Sequence, residues 1–268
     1  MEIKVTTLVE NYVKGRGVKA EHGLSMLFEV GEYLLLFDTG ASNLFIENAK
    51  TLGYRIEDVD YLILSHGHSD HTGGLRDFLE INSKAKVICK SSIFTPKYRG
   101  DRENGIGDIN DIDISRFIFI NKLTEITDGI FILPDIDITN PYDTHFSNFE
   151  LIKEYCRISD TFDDELALIV TNGEDMSIFS ACSHRGITNI ISSARRYFPT
   201  HKFNYLVGGF HLIDSPFKDA LYISDALKRD LPQKIGICHC TGLESFSFLK
   251  NEFKDRVFYN YCGSKIVI

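Results

Sequence analysis

No run of apolar residues in this sequence approaches the roughly 18 that a membrane-spanning helix needs, so none is expected. The opening residues, Met1-Glu2-Ile3-Lys4-Val5-Thr6, lack a basic stretch followed by an apolar core, and no signal peptide is read there. Positive charge is in deficit. Lys and Arg number 29 against 38 Asp and Glu, a net charge of −9, which argues against nucleic acid as the partner because a phosphate backbone wants a basic face. The six cysteines, at 89, 156, 182, 238, 240 and 262, show no framework spacing. A disulfide-stapled exported domain is therefore not expected, and the chain reads as a cytoplasmic protein with reduced thiols. Internal repeats and low-complexity linkers are also missing.

What is present is an ordinary globular composition: 268 residues, 43% hydrophobic and 25% charged. A chain of this length can bury a large core without staples. Short apolar runs rich in branched and aromatic residues predict strands at Ile3 to Val9, Leu24 to Val30, Tyr33 to Phe37, Tyr61 to Leu64, Ala85 to Cys89 and Phe117 to Ile120. Further runs lie at Ile130 to Leu133, Leu166 to Val170, Ser177 to Phe179, Asn204 to Val207 and Ile235 to Cys238. The pair around Gly31-Glu32 reads as a hairpin, and the unbroken Tyr33-Leu34-Leu35-Leu36-Phe37 reads as a strand covered on both faces.

Helices are expected at Asn43 to Leu52, from near Thr72, at Thr188 to Phe198, and from Ser215-Pro216 to about Leu231. Ser215 is read as the N-cap of the last, with Phe217, Ala220, Leu221, Ser224 and Leu227 on its inner stripe. Interleaved strands and helices predict layered α/β architecture in one domain, 1-268. The polar, glycine-containing stretch around 94-115 reads as a long loop or insertion.

The chemistry concentrates in Ser65-His66-Gly67-His68-Ser69-Asp70-His71, on a turn between a strand and a helix. Imidazole and carboxylate suit borderline divalent metals, zinc above all. Four such groups on one tight turn suit two ions better than one tetrahedral centre. Cys238 and Cys240 lie two apart in an expected strand, so they should face opposite sides and not share an ion from that strand.

Strand, His-x-His-x-Asp-His and helix, preceded by Phe37-Asp38-Thr39-Gly40, resemble the metallo-β-lactamase superfamily. The resemblance implies a four-layer αββα sandwich with a dinuclear metal site, zinc most of all, with manganese or iron as alternatives. It implies that His66 and His68 hold the first metal, Asp70 and His71 the second, and that Asp38 braces their loop. The segments His22-Gly23-Leu24-Ser25, Ala181-Cys182-Ser183-His184-Arg185-Gly186-Ile187, Gly208-Gly209-Phe210-His211-Leu212 and Cys238-His239-Cys240-Thr241-Gly242 follow in order. Together they look like the branch that includes archaeal dihydropterin–ribofuranosylaminobenzene-phosphate synthases and uncharacterised metal-dependent hydrolases.

One departure stands out. The superfamily's bridging Asp position falls on Cys182, with His184 two residues later. Either His184 completes the first site, or Cys182 binds metal as thiolate, or both do; His184 is favoured. His239 matches the last ligand, on the second metal. Two glycines before His211 permit close approach of a ligand, so His211 reads as a proton donor or substrate contact. His22 and Thr241 are placed with it as substrate contacts. Arg185, at the start of a helix, is placed there too, for a substrate phosphate. The acidic run Asp160-Thr161-Phe162-Asp163-Asp164-Glu165 reads as a solvated turn, with a carboxylate behind or in the metal site as the alternative. His145 and His201 read as surface residues.

These expectations converge on a hydrolase or transferase acting on a phosphorylated or pyrophosphorylated small molecule, with Asp70 and His211 as its catalytic residues. A homo-oligomer is left open. The rival readings are a nuclease of the same superfamily, which lacks support from the −9 charge, and a non-catalytic metal- or ligand-binding module. A di-iron enzyme of the superfamily would lack His68 and carry a flavin domain.

Overall fold

A computed structural model describes residues 2–268. The first strands are β1 (Ile3–Val9), β2 (Ser25–Val30), β3 (Tyr33–Phe37), β4 (Tyr61–Ile63), β5 (Lys86–Cys89), β6 (Lys97–Arg99), β7 (Arg102–Glu103), β8 (Phe117–Phe119) and β9 (Thr124–Thr127). They are followed by β10 (Ile130–Leu133), β11 (Phe149–Lys153), β12 (Cys156–Ser159), β13 (Ala167–Asn172), β14 (Asp175–Phe179), β15 (Lys202–Gly208), β16 (Lys234–Ile237), β17 (Val257–Tyr259) and β18 (Lys265–Val267). The α-helices are α1 (Leu44–Thr51), α2 (Ser69–Thr72), α3 (Leu75–Ile81), α4 (Ile187–Tyr197), α5 (Phe217–Leu227) and α6 (Leu243–Phe253). No described helix is long and apolar enough to cross a membrane.

The chain forms two compact units. The first comprises Met1–Ile120, Ser147–Asp164 and Tyr261–Ile268. Its main sheet has the order β18-β1-β2-β3-β4-β5-β8, and a smaller one the order β12-β11-β6-β7. The β2–β3 hairpin pairs Val30 with Tyr33 across the two-residue turn, with Gly31 at φ 58°. Leu35, Leu36 and Phe37 are all wholly buried, which is why this strand does not alternate. Strands β3, β4, β5 and β8 run parallel, with Phe37 beside Ile63. The carboxyl ends of β3 and β4 therefore lie side by side. A core of Leu27, Leu36, Phe45, Leu62, Leu64, Phe78, Val87 and neighbours packs α1 and α3 onto this sheet. Each such side chain stabilises by about 1.5–3 kcal/mol.

The second unit comprises Asn121–Phe146 and Glu165–Asn260, with sheet order β17-β16-β15-β14-β13-β10-β9. Strands β14 to β17 are parallel, so their carboxyl ends share one edge. In open α/β sheets that edge is where ligands bind. Ile178, Ile187, Ile190, Leu206, Ile223, Ile235 and Leu249 belong to its core.

Three local expectations are corrected. Residues 94–115 are not a featureless loop. They carry the hairpin β6–β7, and β6 is recruited by β11 through Phe149–Arg99 and Leu151–Lys97 pairing. Helix α5 begins at Phe217 after Pro216 and ends at Leu227; the Ser215 hydroxyl turns back to the His211 carbonyl (3.2 Å) instead of capping it. The buried stripe of α5 is Ala220, Ile223, Ser224 and Leu227, while Phe217 and Leu221 are exposed. Finally, the chain leaves β16 at Ile237 and enters a 3-10 turn over His239–Thr241, so strand alternation does not separate Cys238 from Cys240.

Candidate metal centre

In the first unit the His66–His71 segment leaves the carboxyl end of β4, and Asp38 leaves that of β3. Asp38 adopts φ 61°, a left-handed conformation costing about 1 kcal/mol or more in a non-glycine residue. In that pose its carboxylate grips the neighbouring turn. Oδ1 accepts the Ser65 N–H at 2.7 Å, and Oδ2 accepts the Ser65 hydroxyl at 2.6 Å and His71 Nδ1–H at 2.7 Å. The single hydroxyl proton of Ser65 is thereby used. The contact of Ser65 Oγ with His66 Nδ1 (2.9 Å) must then be donated by the ring. His66 and His71 are both fixed as Nδ1–H tautomers with Nε2 as the unprotonated ring nitrogen, the arrangement metal-binding histidines use.

The rings lie close together: His66 is 4.3 Å from His71 and 4.8 Å from His68, centroid to centroid. Burial drives the His66 pKa well below its ordinary value and lowers that of His68 to about 3. Both are neutral near pH 7, the form that binds metal. Asp70 is partly exposed. Its Oδ2 lies 3.7 Å from His71 Nε2 and 3.3 Å from His22 Nε2. His22 Nδ1 accepts from the Asn11 amide at 3.2 Å, so its Nε2 carries the proton and faces Asp70 as a donor.

In the second unit three strand ends supply the groups. After β14 come Cys182 and His184, after β15 His211, and after β16 His239 and Cys240. Ser183, His211 and His239 all have positive φ (60°, 49° and 51°), strain that these turns accept to aim their side chains. Ligand atoms of Cys182, His184 and His211 lie within 4.8 Å of one another, as do those of Cys182, His239 and Cys240. Close backbone packing makes this possible. A Cβ at Gly208 would sit 2.1 Å from the Ser180 carbonyl oxygen, and one at Gly209 would sit 2.4 Å from Cys240 Sγ. The His184 Nδ1 approaches the His145 carbonyl at 3.4 Å, which again makes Nε2 the unprotonated ring nitrogen. Glu165, buried, accepts the His184 and Arg185 N–H groups at 2.7 Å each. Thr241 is wholly buried, and its hydroxyl accepts the Phe210 N–H at 2.9 Å.

Several residues act here that the sequence reading set aside. The acidic run is not solvated: Asp160, Asp164 and Glu165 are buried. Asp164 accepts the Gly67 N–H at 2.7 Å, between two ligand-type histidines. His145 is not a surface residue. Its ring lies 5.4 Å from His211, and its N–H donates to the His184 carbonyl at 2.8 Å. The N-terminus of α4 already has its anion: Asp143 Oδ2 accepts both the N–H (2.7 Å) and the hydroxyl (2.6 Å) of Thr188. Arg185 Nε donates to the Ile136 carbonyl at 3.0 Å. No local pattern marks these residues, because each partner is distant in sequence. The donor set of imidazoles, thiols and a carboxylate fits divalent metal in both units.

Comparison with known proteins agrees. The chain is 30% identical over 276 residues to the 7,8-dihydropterin-6-methyl-4-(beta-D-ribofuranosyl)-aminobenzene-5'-phosphate synthase of Methanocaldococcus jannaschii, covering 94% of this chain and 92% of that protein. It is 29% identical over 240 residues to protein MJ0448 of the same organism, covering 86% and 88%. The crystal structure of Tm1679, described as a metal-dependent hydrolase of the beta-lactamase superfamily, superposes with a TM-score of 0.88 at 30% identity, covering 99% of each chain. The family model of the metallo-beta-lactamase superfamily matches residues 18–162, the stretch that carries Asp38 and the His66–His71 turn. By motif, by fold and by these likenesses, the chain belongs to the metallo-β-lactamase superfamily.

Proposed function

We propose that the chain, working as one domain over residues 1–268, is a metal-dependent hydrolase or transferase acting on a phosphorylated or pyrophosphorylated small molecule through two divalent ions, zinc above all. The observation that carries the reading is the fixed tautomer of His66 and His71, whose Nδ1 atoms are committed to Ser65 and Asp38. Nothing in a merely structural histidine pair calls for both Nε2 lone pairs to be aligned by buried oxygen partners. Support for the substrate class comes from the 30%-identical relative, whose name is that of a phosphate-bearing compound's synthase. The net charge of −9 speaks for a small molecule rather than nucleic acid.

The proposed ligands are His66, His68, Asp70, His71, His184 and His239, with Cys182 as the alternative beside His184. Such ions, when bound, supply Lewis acidity toward a phosphate oxygen and acidify water. Asp70, partly exposed and paired with His22, accepts a hydrogen bond from the attacking group and orients it. His211 gives a proton to the leaving group, and His184 and His145 flank its ring at 4.2 and 5.4 Å. His22 and Thr241 contact substrate, and Arg185 meets a substrate phosphate beside a helix end that Asp143 already fills. A cytoplasmic setting goes with the six cysteines, which stand as thiols.

The test is Asp70→Asn assayed against phosphodiesters, pyrophosphates and pterin phosphates with zinc, manganese or iron. The wild type should turn over at least one class and the variant none, with its fold intact. Full activity in Asp70→Asn contradicts the mechanism.

A further inference from the structure

Lys97 is wholly buried, an unusual place for a lysine. Its Nζ donates to Asp160 Oδ2 at 2.6 Å and to Asp164 Oδ1 at 2.9 Å, and it lies 5.0 Å from the centroid of the Phe162 ring. The two carboxylates use their other oxygens on backbone. Asp164 Oδ2 accepts the Gly67 N–H at 2.7 Å, and Asp160 Oδ1 accepts the Phe162 N–H at 2.7 Å. Phe162 in turn stands edge-on to His68 at 5.1 Å, and Phe149 covers His68 at 5.0 Å. On the other side of His68, the Ser69 N–H donates to the Asn104 carbonyl at 2.8 Å, and Asn104 N–H donates to the Lys97 carbonyl at 3.0 Å.

His68 is therefore held from three directions: the residue before it, the residue after it, and the aromatic cover on its ring. The first hold reaches the Lys97 ammonium through Asp164, the second ends on the Lys97 backbone carbonyl, and in the third the Phe162 ring lies against Lys97 Nζ. The fit is tight enough that a Cβ at Gly67 would lie 3.0 Å from Lys97 Cε and 2.5 Å from the Ile93 carbonyl oxygen. Burial works against the charge on Lys97, but Asp164 and Asp160 outweigh it and hold the ammonium above its ordinary pKa. Desolvating three charges costs several kcal/mol per ion, and packed apolar residues often do as well for stability alone. Asp164 accepts from Gly67 on one oxygen and from Lys97 on the other, so one side chain ties the turn to the ammonium.

We propose that Lys97, with Asp160 and Asp164, is a positioning cluster that fixes His68 for metal, so that metal affinity depends on a lysine that touches no ligand atom. This rests on the reading of His66 and His68 as metal ligands. The test compares the wild type, Lys97→Met, Asp164→Asn and Lys84→Met. Lys84 pairs with Asp60 at 2.7 Å on the surface of the same unit and serves as the control. Zinc affinity is measured by chelator competition, and the cobalt-substituted proteins are compared by visible absorption, with folding monitored by circular dichroism.

Lys97→Met should bind zinc about 10–100-fold more weakly, with a changed cobalt spectrum, while Lys84→Met matches the wild type. Should Lys97→Met fail to fold, Asp164→Asn keeps two of the three groups and should show the same loss. A wild type that binds metal and a folded Lys97→Met or Asp164→Asn with equal affinity and an identical spectrum would overturn the positioning role alone. A wild type that binds no metal would overturn the ligand reading, and this inference with it.

Discussion

Glu165 holds His184 by its backbone: one carboxylate oxygen accepts the His184 N–H at 2.7 Å while the other accepts the Arg185 N–H at the same distance. The same device recurs at Asp38 with Ser65 and at Asp164 with Gly67. In each case a buried carboxylate grips the backbone of a turn that carries ligand-type side chains. Charged acceptors on N–H groups are among the stronger hydrogen bonds.

Removing that grip at Glu165 strands the buried His184 N–H and the half-buried Arg185 N–H. Glu165→Ala should lose at least about 2 kcal/mol of stability, since each buried donor left without an acceptor costs about 1–3 kcal/mol. Glu165→Gln keeps one acceptor oxygen and should lose less. Urea denaturation reads both. A Glu165→Ala midpoint equal to that of the wild type would show that the turn at His184 holds itself.

The strand-end turns also depend on missing side chains. Gly208, at φ 149°, leaves no room for a Cβ beside the Ser180 backbone. Gly208→Ala should cost about 3 kcal/mol or more. Gly100, at φ 62° with nothing within 4 Å, offers the contrast, and Gly100→Ala should cost about 1 kcal/mol from backbone strain only. Similar losses at the two positions would contradict the close-approach argument.

These two cases mark what the sequence makes legible. Strands β1 to β5, the hairpin at Gly31, helices α1 and α4, and the His66–His71 motif show in local pattern because apolar runs and turn formers are local signals. Lys97, Asp160, Asp164, Glu165 and Asp143 are polar residues in polar stretches, and their burial comes from partners tens of residues away. The positive φ of Asp38, Ser183, His211 and His239 falls on residues other than glycine, the type that marks such a turn in a sequence. The edge strands β17 and β18 and the hairpin β6–β7 were equally hidden, being too short for period to show.

Acidity should weaken the metal-free protein. His66 and His68 are neutral in the fold because burial lowers their pKa values, that of His68 to about 3. An unfolded imidazole titrates near 6.5, so below about that pH the unfolded state takes up more protons. The contribution is complete above about pH 6.5 and is lost as the pH falls toward the folded value. Each ring gives a slope of up to about 1.4 kcal/mol per pH unit. The denaturant midpoint of the metal-free chain should therefore drop between pH 7 and pH 5, and His68→Asn should flatten that fall. A midpoint independent of pH across this range would contradict the neutral, buried state of both rings.

The most direct measurement is the metal content per chain, by elemental mass spectrometry on tag-free protein purified without chelators and again after reconstitution. Two ions per chain, falling to one in Asp70→Asn, is the result expected of the proposed ligand set. No bound metal, even after reconstitution with zinc, manganese and iron, would contradict it and leave a module that keeps the fold without the chemistry.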